Sequence, residues 1–396
     1  TRISTSPVYG SPVRTITVGG VLLIDHRPDV LCWCLPTYLK IMSNRVRQRI
    51  PRSPNDGNLH ATDSAETAPG HDGSVAAPMT ASRILTVGVV GSGWMAQQHL
   101  TAWRQLGVPV GLYSTGSNAP DIAQRAEATL HAQLADLIDG SNVVDICTPS
   151  TSHLAIGTAA AASGKPVICE KPLARSHSQA VELIAGCRRA AVPLLVGHVV
   201  RYFPQYAAAR DAVTAGRIGR PIALRLSREV AMPVQAWYRD ESLAGGVLLD
   251  LMIHDIDYAR WIAGDVTSVT AQVTTGERGE VRGNATLQHR DGAVSRLTGL
   301  WGVAGQQFSA GFELTGTSGA LRSDEFAADR AASSRSGSGV GVDAGLRPYV
   351  AQLADFAAVI GGTATPRVTA QDALAALDIS LAAIESAHSG RPVALV

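Results

Sequence analysis

The segment Gly91-Ser92-Gly93-Trp94-Met95-Ala96 constrains the fold of this chain more than any other. It lies after an apolar run, Ile84 to Val90, and leads into a stretch with helical spacing, Trp94 to Leu106. Gly91 permits a tight turn, Gly93 lets the backbone come close to an anion, and Ala96 is small enough for helix to pack on strand. The helix then opens with unpaired N–H groups, Trp94 and Met95 among them, and a partial positive charge. In strand-turn-helix context this is a dinucleotide-binding loop; a glycine turn without that context would be only a turn.

The next hundred residues fit the same unit. Apolar runs at Pro109 to Tyr113, Val143 to Cys147, Pro166 to Cys169 and Leu194 to Gly197 alternate with helical stretches at Asp121 to Thr129, Ser152 to Ser163 and Ser176 to Ala191. Continuous apolar strands separated by helices predict a doubly wound parallel sheet, an N-terminal Rossmann domain over 83–200. Beyond Gly216, Gly219 and Pro221 a helix is predicted near Val247 to Ala263. The period then falls to two over Ser268 to Val273, Asn284 to Gln288 and Ala293 to Leu297. This predicts a second domain over 201–396 with a mostly antiparallel sheet, followed by helices at Tyr349 to Ile360 and Ala370 to His388. The 396 residues suit two or three domains at about 150 residues each.

Residues 1–82 are rich in Ser, Pro, Arg and Asp without sustained period, so little fixed structure is expected there, and Met79 is a candidate start of the native protein. The apolar run Ile16 to Ile24 lacks the flanks of a signal peptide. Cys32 and Cys34 have no second pair at ligand spacing, so no metal site is expected. The five cysteines are few and scattered, which suits reduced thiols in the cytoplasm. With 34 basic and 33 acidic residues there is no field to attract nucleic acid, and no run approaches the ~20 apolar residues that span a bilayer.

Two further segments carry chemistry. Only three of the 34 basic residues are lysine, and one of them, Lys171, sits in Glu170-Lys171-Pro172 at the carboxyl end of a strand, the edge where open α/β sheets bind ligands. Asp250 and His254, four apart in an apolar helical stretch behind Gly245-Gly246, share one face. They suit proton transfer better than metal binding, which lacks a third ligand. Arg201, Trp237 and Tyr238 are candidate substrate contacts, although a Trp-Tyr pair also serves domain packing. About 20 residues past the glycine loop, where an acidic residue would read a ribose 2′-hydroxyl, stand Ser114 and Thr115. The missing carboxylate favours NADP over NAD.

From Ile84 to Val393 the chain resembles the Gfo/Idh/MocA oxidoreductases. The likeness rests on the glycine loop, Cys147-Thr148-Pro149 with His153, Gly164 to Pro172, Gly216-Arg217-Ile218-Gly219, Gly245-Gly246 with Asp250 and His254, Gly316-Thr317-Ser318-Gly319 and Ser389-Gly390-Arg391-Pro392-Val393. It implies Lys171, Asp250 and His254 as the catalytic group and Thr148, Pro149, His153, Glu170 and Pro172 near the cofactor. In that group Asp250 is expected to orient the substrate or His254. The resemblance further implies that the second domain is α/β with a large, open sheet that often mediates oligomerisation, a sugar or polyol substrate, and a homodimer or homotetramer. Ser150 departs from the Asn often found there. The alternative to an NAD(P)-dependent dehydrogenase is a non-catalytic NADP(H)-binding sensor or structural homologue, which loss of one of the three polar groups would have favoured.

Overall fold

The structure, a computed structural model, describes residues 3–7, 12–18, 21–25, 85–323 and 345–395. Three short strands come first: β1 (Ile3–Pro7), β2 (Pro12–Val18) and β3 (Val21–Asp25). The next unit alternates strands and helices: β4 (Val87–Val90), α1 (Trp94–Gln105), β5 (Val110–Tyr113), α2 (Ala119–Arg125), β6 (Thr129–Leu130), α3 (Leu134–Gly140), β7 (Val143–Ile146), α4 (His153–Ala162), β8 (Val167–Glu170), α5 (His177–Arg189) and β9 (Leu194–Gly197). Its six strands form one parallel sheet in the order β6-β5-β4-β7-β8-β9, the doubly wound arrangement. Val87, Val89, Val144, Ile146, Val167 and Ile168 are sealed from solvent, as strands covered by helices on both faces require. The carboxyl ends of β4, β7 and β8 therefore open side by side.

The remainder comprises α6 (Pro204–Thr214), β10 (Pro221–Ala231), α7 (Ile253–Ala263), β11 (Val266–Thr275), β12 (Val281–His289), β13 (Val294–Gly302), β14 (Ser309–Gly316), β15 (Ala320–Ser323), α8 (Arg347–Ile360), α9 (Ala370–Ser389) and β16 (Val393–Ala394). Its strands lie in a ten-stranded sheet, β1-β2-β3-β15-β14-β10-β13-β12-β11-β16, antiparallel except where β10 runs parallel to β13. The open, mostly antiparallel sheet is thus present, with strands the period-two reading passed over. β10 mixes charges among its apolar residues, and its Arg228 is buried because Asp255 of α7 takes its guanidinium at 2.9 Å.

Little fixed structure was expected over residues 1–82, yet β1 to β3 extend this sheet from β15, Leu321 opposite Leu23. Edge pairing needs only free backbone groups and β-prone residues, and Thr15 to Val18 and Val21 to Ile24 are mostly β-branched. Cys32, Cys34 and Met79 lie outside the described residues. Cys147, Cys169 and Cys187 are free and buried. Among the described residues no helix is long and apolar enough to cross a membrane.

The last two helices return to the parallel sheet. α8 packs on α1, with Tyr349 edge-on to Trp94, and α9 reaches α5 through His177 and Asp378 at 2.8 Å.

Candidate active site

Gly91 ends β4 with φ +118°, its N–H bonded to the Tyr113 carbonyl at 2.8 Å. A Cβ there would lie 2.6 Å from the Cys147 main-chain oxygen, so neither the conformation nor the space admits a side chain. Gly93 differs: it is exposed, and a Cβ on it would meet nothing within 4 Å. That open cradle faces the start of α1, which has no side-chain cap and no acidic residue in its first turn. Met95 is half-buried, Ala96 fully buried and Trp94 exposed. Open space at an uncapped helix N-terminus fits a pyrophosphate, so these residues would hold a dinucleotide.

The rim of the cradle is tied together by small polar groups. Ser114 donates to Ser92 Oγ at 2.8 Å, and Ser92 donates to Asn118 Oδ1 at 2.8 Å. The Gly116 N–H reaches Ser114 Oγ at 3.1 Å, whereas Thr115 is exposed. Asn118, which also donates to the Ser92 carbonyl, was not singled out from sequence.

Beyond β7, Thr148 accepts from Ser152 at 2.7 Å and Pro149 is exposed. The buried His153 ring lies between the Thr148 carbonyl at 2.9 Å and the Pro172 carbonyl at 3.1 Å, so it packs between the loops after β7 and β8 and, when neutral, donates to one of the two. Burial holds its pKa below the usual value. Lys171–Pro172 is a cis peptide, and Glu170 accepts the Lys171 N–H at 3.2 Å.

The predicted helix from Val247 begins instead as a π-helical turn over Val247–Leu251, with Met252 N–H bonded to the Val247 carbonyl at 2.9 Å, before α7 takes over. This turn brings Asp250 to Lys171, whose ammonium lies 2.9 Å from the Asp250 main-chain oxygen and 3.1 Å from its carboxylate. Among the described residues no hydrogen bond joins Asp250 to His254. His254 Nδ1 is buried without a partner. Burial above all, and then the positive Lys171 and Arg228 with His198, hold the His254 pKa well below the ordinary value. A neutral imidazole beside a fixed ammonium can accept a proton while the ammonium favours a developing oxyanion.

Tyr238 joins this group. Its hydroxyl pKa is pushed up by burial and then by Asp250 and Glu170, while its ring stacks on Trp237 at 3.8 Å. Arg201 is placed differently. It is buried, bidentate to Asp257 at 2.6 and 2.8 Å, and also bonded to Asp372 and the Arg367 carbonyl. Its donors are spent on structure, not aimed at a ligand.

Several residues of the neighbourhood escaped the sequence reading. Arg175 lies beneath Gly245 and donates to the Glu241 and Ser242 carbonyls at 3.1 Å, fixing the turn ahead of Asp250. His198, just past β9, is buried 3.8 Å from Asp257. His99 and Asp145 are buried in the parallel-sheet core, where a histidine in the apolar stripe of α1 and an acid inside Val143 to Ile146 were the available signals.

A glycine-rich cradle on a doubly wound sheet, with a lysine, an aspartate and a partly exposed histidine gathered at its carboxyl edge, defines a two-domain dinucleotide-dependent oxidoreductase. Residues 85–198 match the model of the oxidoreductase family with NAD-binding Rossmann fold, and residues 206–322 that of the GFO/IDH/MocA C-terminal domain. The chain belongs to the Gfo/Idh/MocA family.

Among its curated relatives is the 1,5-anhydro-D-fructose reductase of Ensifer adhaerens, 31% identical over 271 residues that span 63% of this chain and 78% of that one. The levoglucosan dehydrogenase of Pseudarthrobacter phenanthrenivorans is 29% identical over 304 residues, covering 62% and 77%. Of solved structures, GenD2 from gentamicin A biosynthesis, in complex with NAD, is similar with a TM-score of 0.71 at 24% identity over 82% of this chain and all of that one. Levoglucosan dehydrogenase with NADH and levoglucosan gives 0.68 at 24% identity, over 78% of this chain and 99% of that one. At that identity the structures speak to the fold.

Proposed function

We propose that this enzyme moves a hydride between a nicotinamide and a secondary alcohol or carbonyl carbon of a sugar, a polyol or a related cyclic compound. One observation carries the reading: the Lys171 ammonium, held by Asp250, stands with a histidine kept neutral at the edge where the cofactor cradle opens. The bound nicotinamide supplies the hydride acceptor or donor. His254 takes the hydroxyl proton in oxidation and returns it in reduction. Lys171 stabilises the charge that develops on the same oxygen. Asp250 orients Lys171, a change from the sequence expectation that it would orient the substrate or His254. The stacked Trp237 and Tyr238 offer a flat wall to a ring-shaped substrate. The names of the relatives, reductases and dehydrogenases of sugars, support the substrate class.

The absence of a carboxylate from Tyr113 to Ser117 supports tighter binding of NADP(H) than NAD(H). Buried free thiols suit the cytoplasm. Association into a dimer or tetramer rests on the resemblance to the family alone. The test is a screen of sugars and polyols with both cofactors, monitored through the reduced nicotinamide. Turnover lost in His254→Ala is expected. A protein that binds cofactor yet turns over no member of these classes would sink the enzymatic reading in favour of a sensor.

A further inference from the structure

Behind Lys171 a chain of charges runs through the parallel-sheet core and takes no part in the proposed hydride transfer. Asp145, in the middle of β7, accepts from Trp103 Nε1 at 2.8 Å and faces His99 Nδ1 with both oxygens, at 2.9 and 3.1 Å. On the far side of the same ring, His99 Nε2 lies 3.2 Å from Glu170 Oε1, an ion pair without hydrogen-bond alignment, and neither atom has another partner. His99, Asp145 and Glu170 are at most 4% exposed.

The group could be mistaken for a metal site, because ligand atoms of His99, Asp145 and Cys147 all lie within 4.8 Å of one another. These atoms instead contact one another: Cys147 Sγ lies 3.3 Å from His99 Nδ1 and 3.6 Å from Asp145 Oδ1, and burial, then Asp145, pushes the thiol up to about 12. Burial alone would lower the His99 pKa, but Asp145 overcomes it and holds the imidazole well above its ordinary value. The cluster is a buried histidine ring between two carboxylates.

Glu170 has also been given room. It ends β8 opposite Gly197 of β9, and a Cβ at Gly197 would overlap the Glu170 carboxylate. Its second oxygen accepts the Lys171 N–H. The carboxylate thus sits between the His99 ring and the Lys171 N–H, in space that Gly197 leaves open, one residue before the ammonium.

We propose that His99 is a positioning residue: by bridging Asp145 and Glu170 it sets the Glu170 carboxylate at the cofactor edge, where that negative charge favours the oxidised, cationic nicotinamide over the reduced, neutral one. This rests on the reading of that edge as the place of hydride transfer.

The test is the ratio of dissociation constants for oxidised and reduced cofactor, measured by calorimetric titration in wild type, Glu170→Gln, His99→Gln and the double variant. Glu170→Gln is expected to weaken the oxidised form relative to the reduced by about tenfold, the scale of one nearby charge. If His99 acts through Glu170, His99→Gln shifts the ratio in the wild-type background and leaves it unchanged in the Glu170→Gln background. Trp103→Phe removes a donor to Asp145 only, and should lower the melting temperature without moving the ratio. Should His99→Gln not fold, Gly197→Ala serves instead, since displacing the carboxylate should shift the ratio as well. An unchanged ratio in Glu170→Gln, equal shifts from His99→Gln in both backgrounds, or a matching shift in Trp103→Phe overturns the proposal. Wild type that binds neither form would overturn the proposed function as well; binding of both with an unmoved ratio overturns this inference alone.

Discussion

The Lys171 ammonium bonds to Asp250 twice, at the main-chain oxygen and at the carboxylate, although the two residues are 79 positions apart. A lysine tied in this way cannot swing to solvent, and its three donors leave one for a substrate oxygen. Lys171→Met should lower kcat by ~10² or more with cofactor affinity little changed. Lys165 provides the control. It donates to the Ser141 carbonyl at 2.8 Å, and its substitution by Met should keep kcat within a few-fold. Steady-state kinetics with cofactor titration decide; near wild-type turnover in Lys171→Met removes it from the mechanism.

His254 should shape the pH dependence. Its folded pKa is lowered well below the ordinary 6.5, so the base stays neutral under mildly acidic conditions and the acid limb of kcat/KM should lie below pH 6.5. The linkage has the same origin. Below pH 6.5 the unfolded chain takes up a proton that the folded His254 refuses, so stability is lost as pH falls through that range. Chemical denaturation against pH should give a shallower acid slope for His254→Gln than for wild type, and equal slopes would contradict the assignment.

The two loop glycines should separate stability from binding. Gly91→Ala meets both a φ of +118° and the Cys147 carbonyl, and should cost ~1–3 kcal/mol with a lower melting temperature. Gly93→Ala has room and should melt like wild type, yet bind dinucleotide more weakly because the methyl group fills the cradle. Thermal shift with and without cofactor distinguishes them; tight cofactor binding by Gly93→Ala would move the pyrophosphate elsewhere.

At the rim of the cradle, Ser114→Asp should penalise NADP(H) by charge repulsion and offer NAD(H) a carboxylate for its 2′-hydroxyl. Binding titrations check it, and wild type that already prefers NAD(H) by about tenfold would reverse the expected preference.

Arg201→Met should act on stability and leave chemistry alone. It strips the bidentate partner from a buried Asp257, a loss on the scale of about 3–5 kcal/mol. The folded fraction should keep kcat within a few-fold. A collapse of kcat at intact melting temperature would restore Arg201 as a substrate contact.

The parallel sheet and the cofactor cradle were legible in the chain alone. Both are local: a strand buried on two faces reads as an unbroken apolar run, and the turn from β4 into α1 needs glycine at 91 for a reason contained within a few residues. The place of Lys171 just past the end of β8 was legible for a similar cause, in a chain where only three of 34 basic residues are lysine. Three-dimensional packing settled whatever depends on distant partners. Asp250 turned from His254 to Lys171 because a π-helical turn, invisible in the apolar spacing, carries it there. Arg201 became structural because Asp257, 56 positions away, meets it inside the core. β10 and His99 were passed over because their charges read as exposure until Asp255 and Asp145 are seen beside them. A buried charge is tolerated only where its partner stands, and no window along the chain contains that partner.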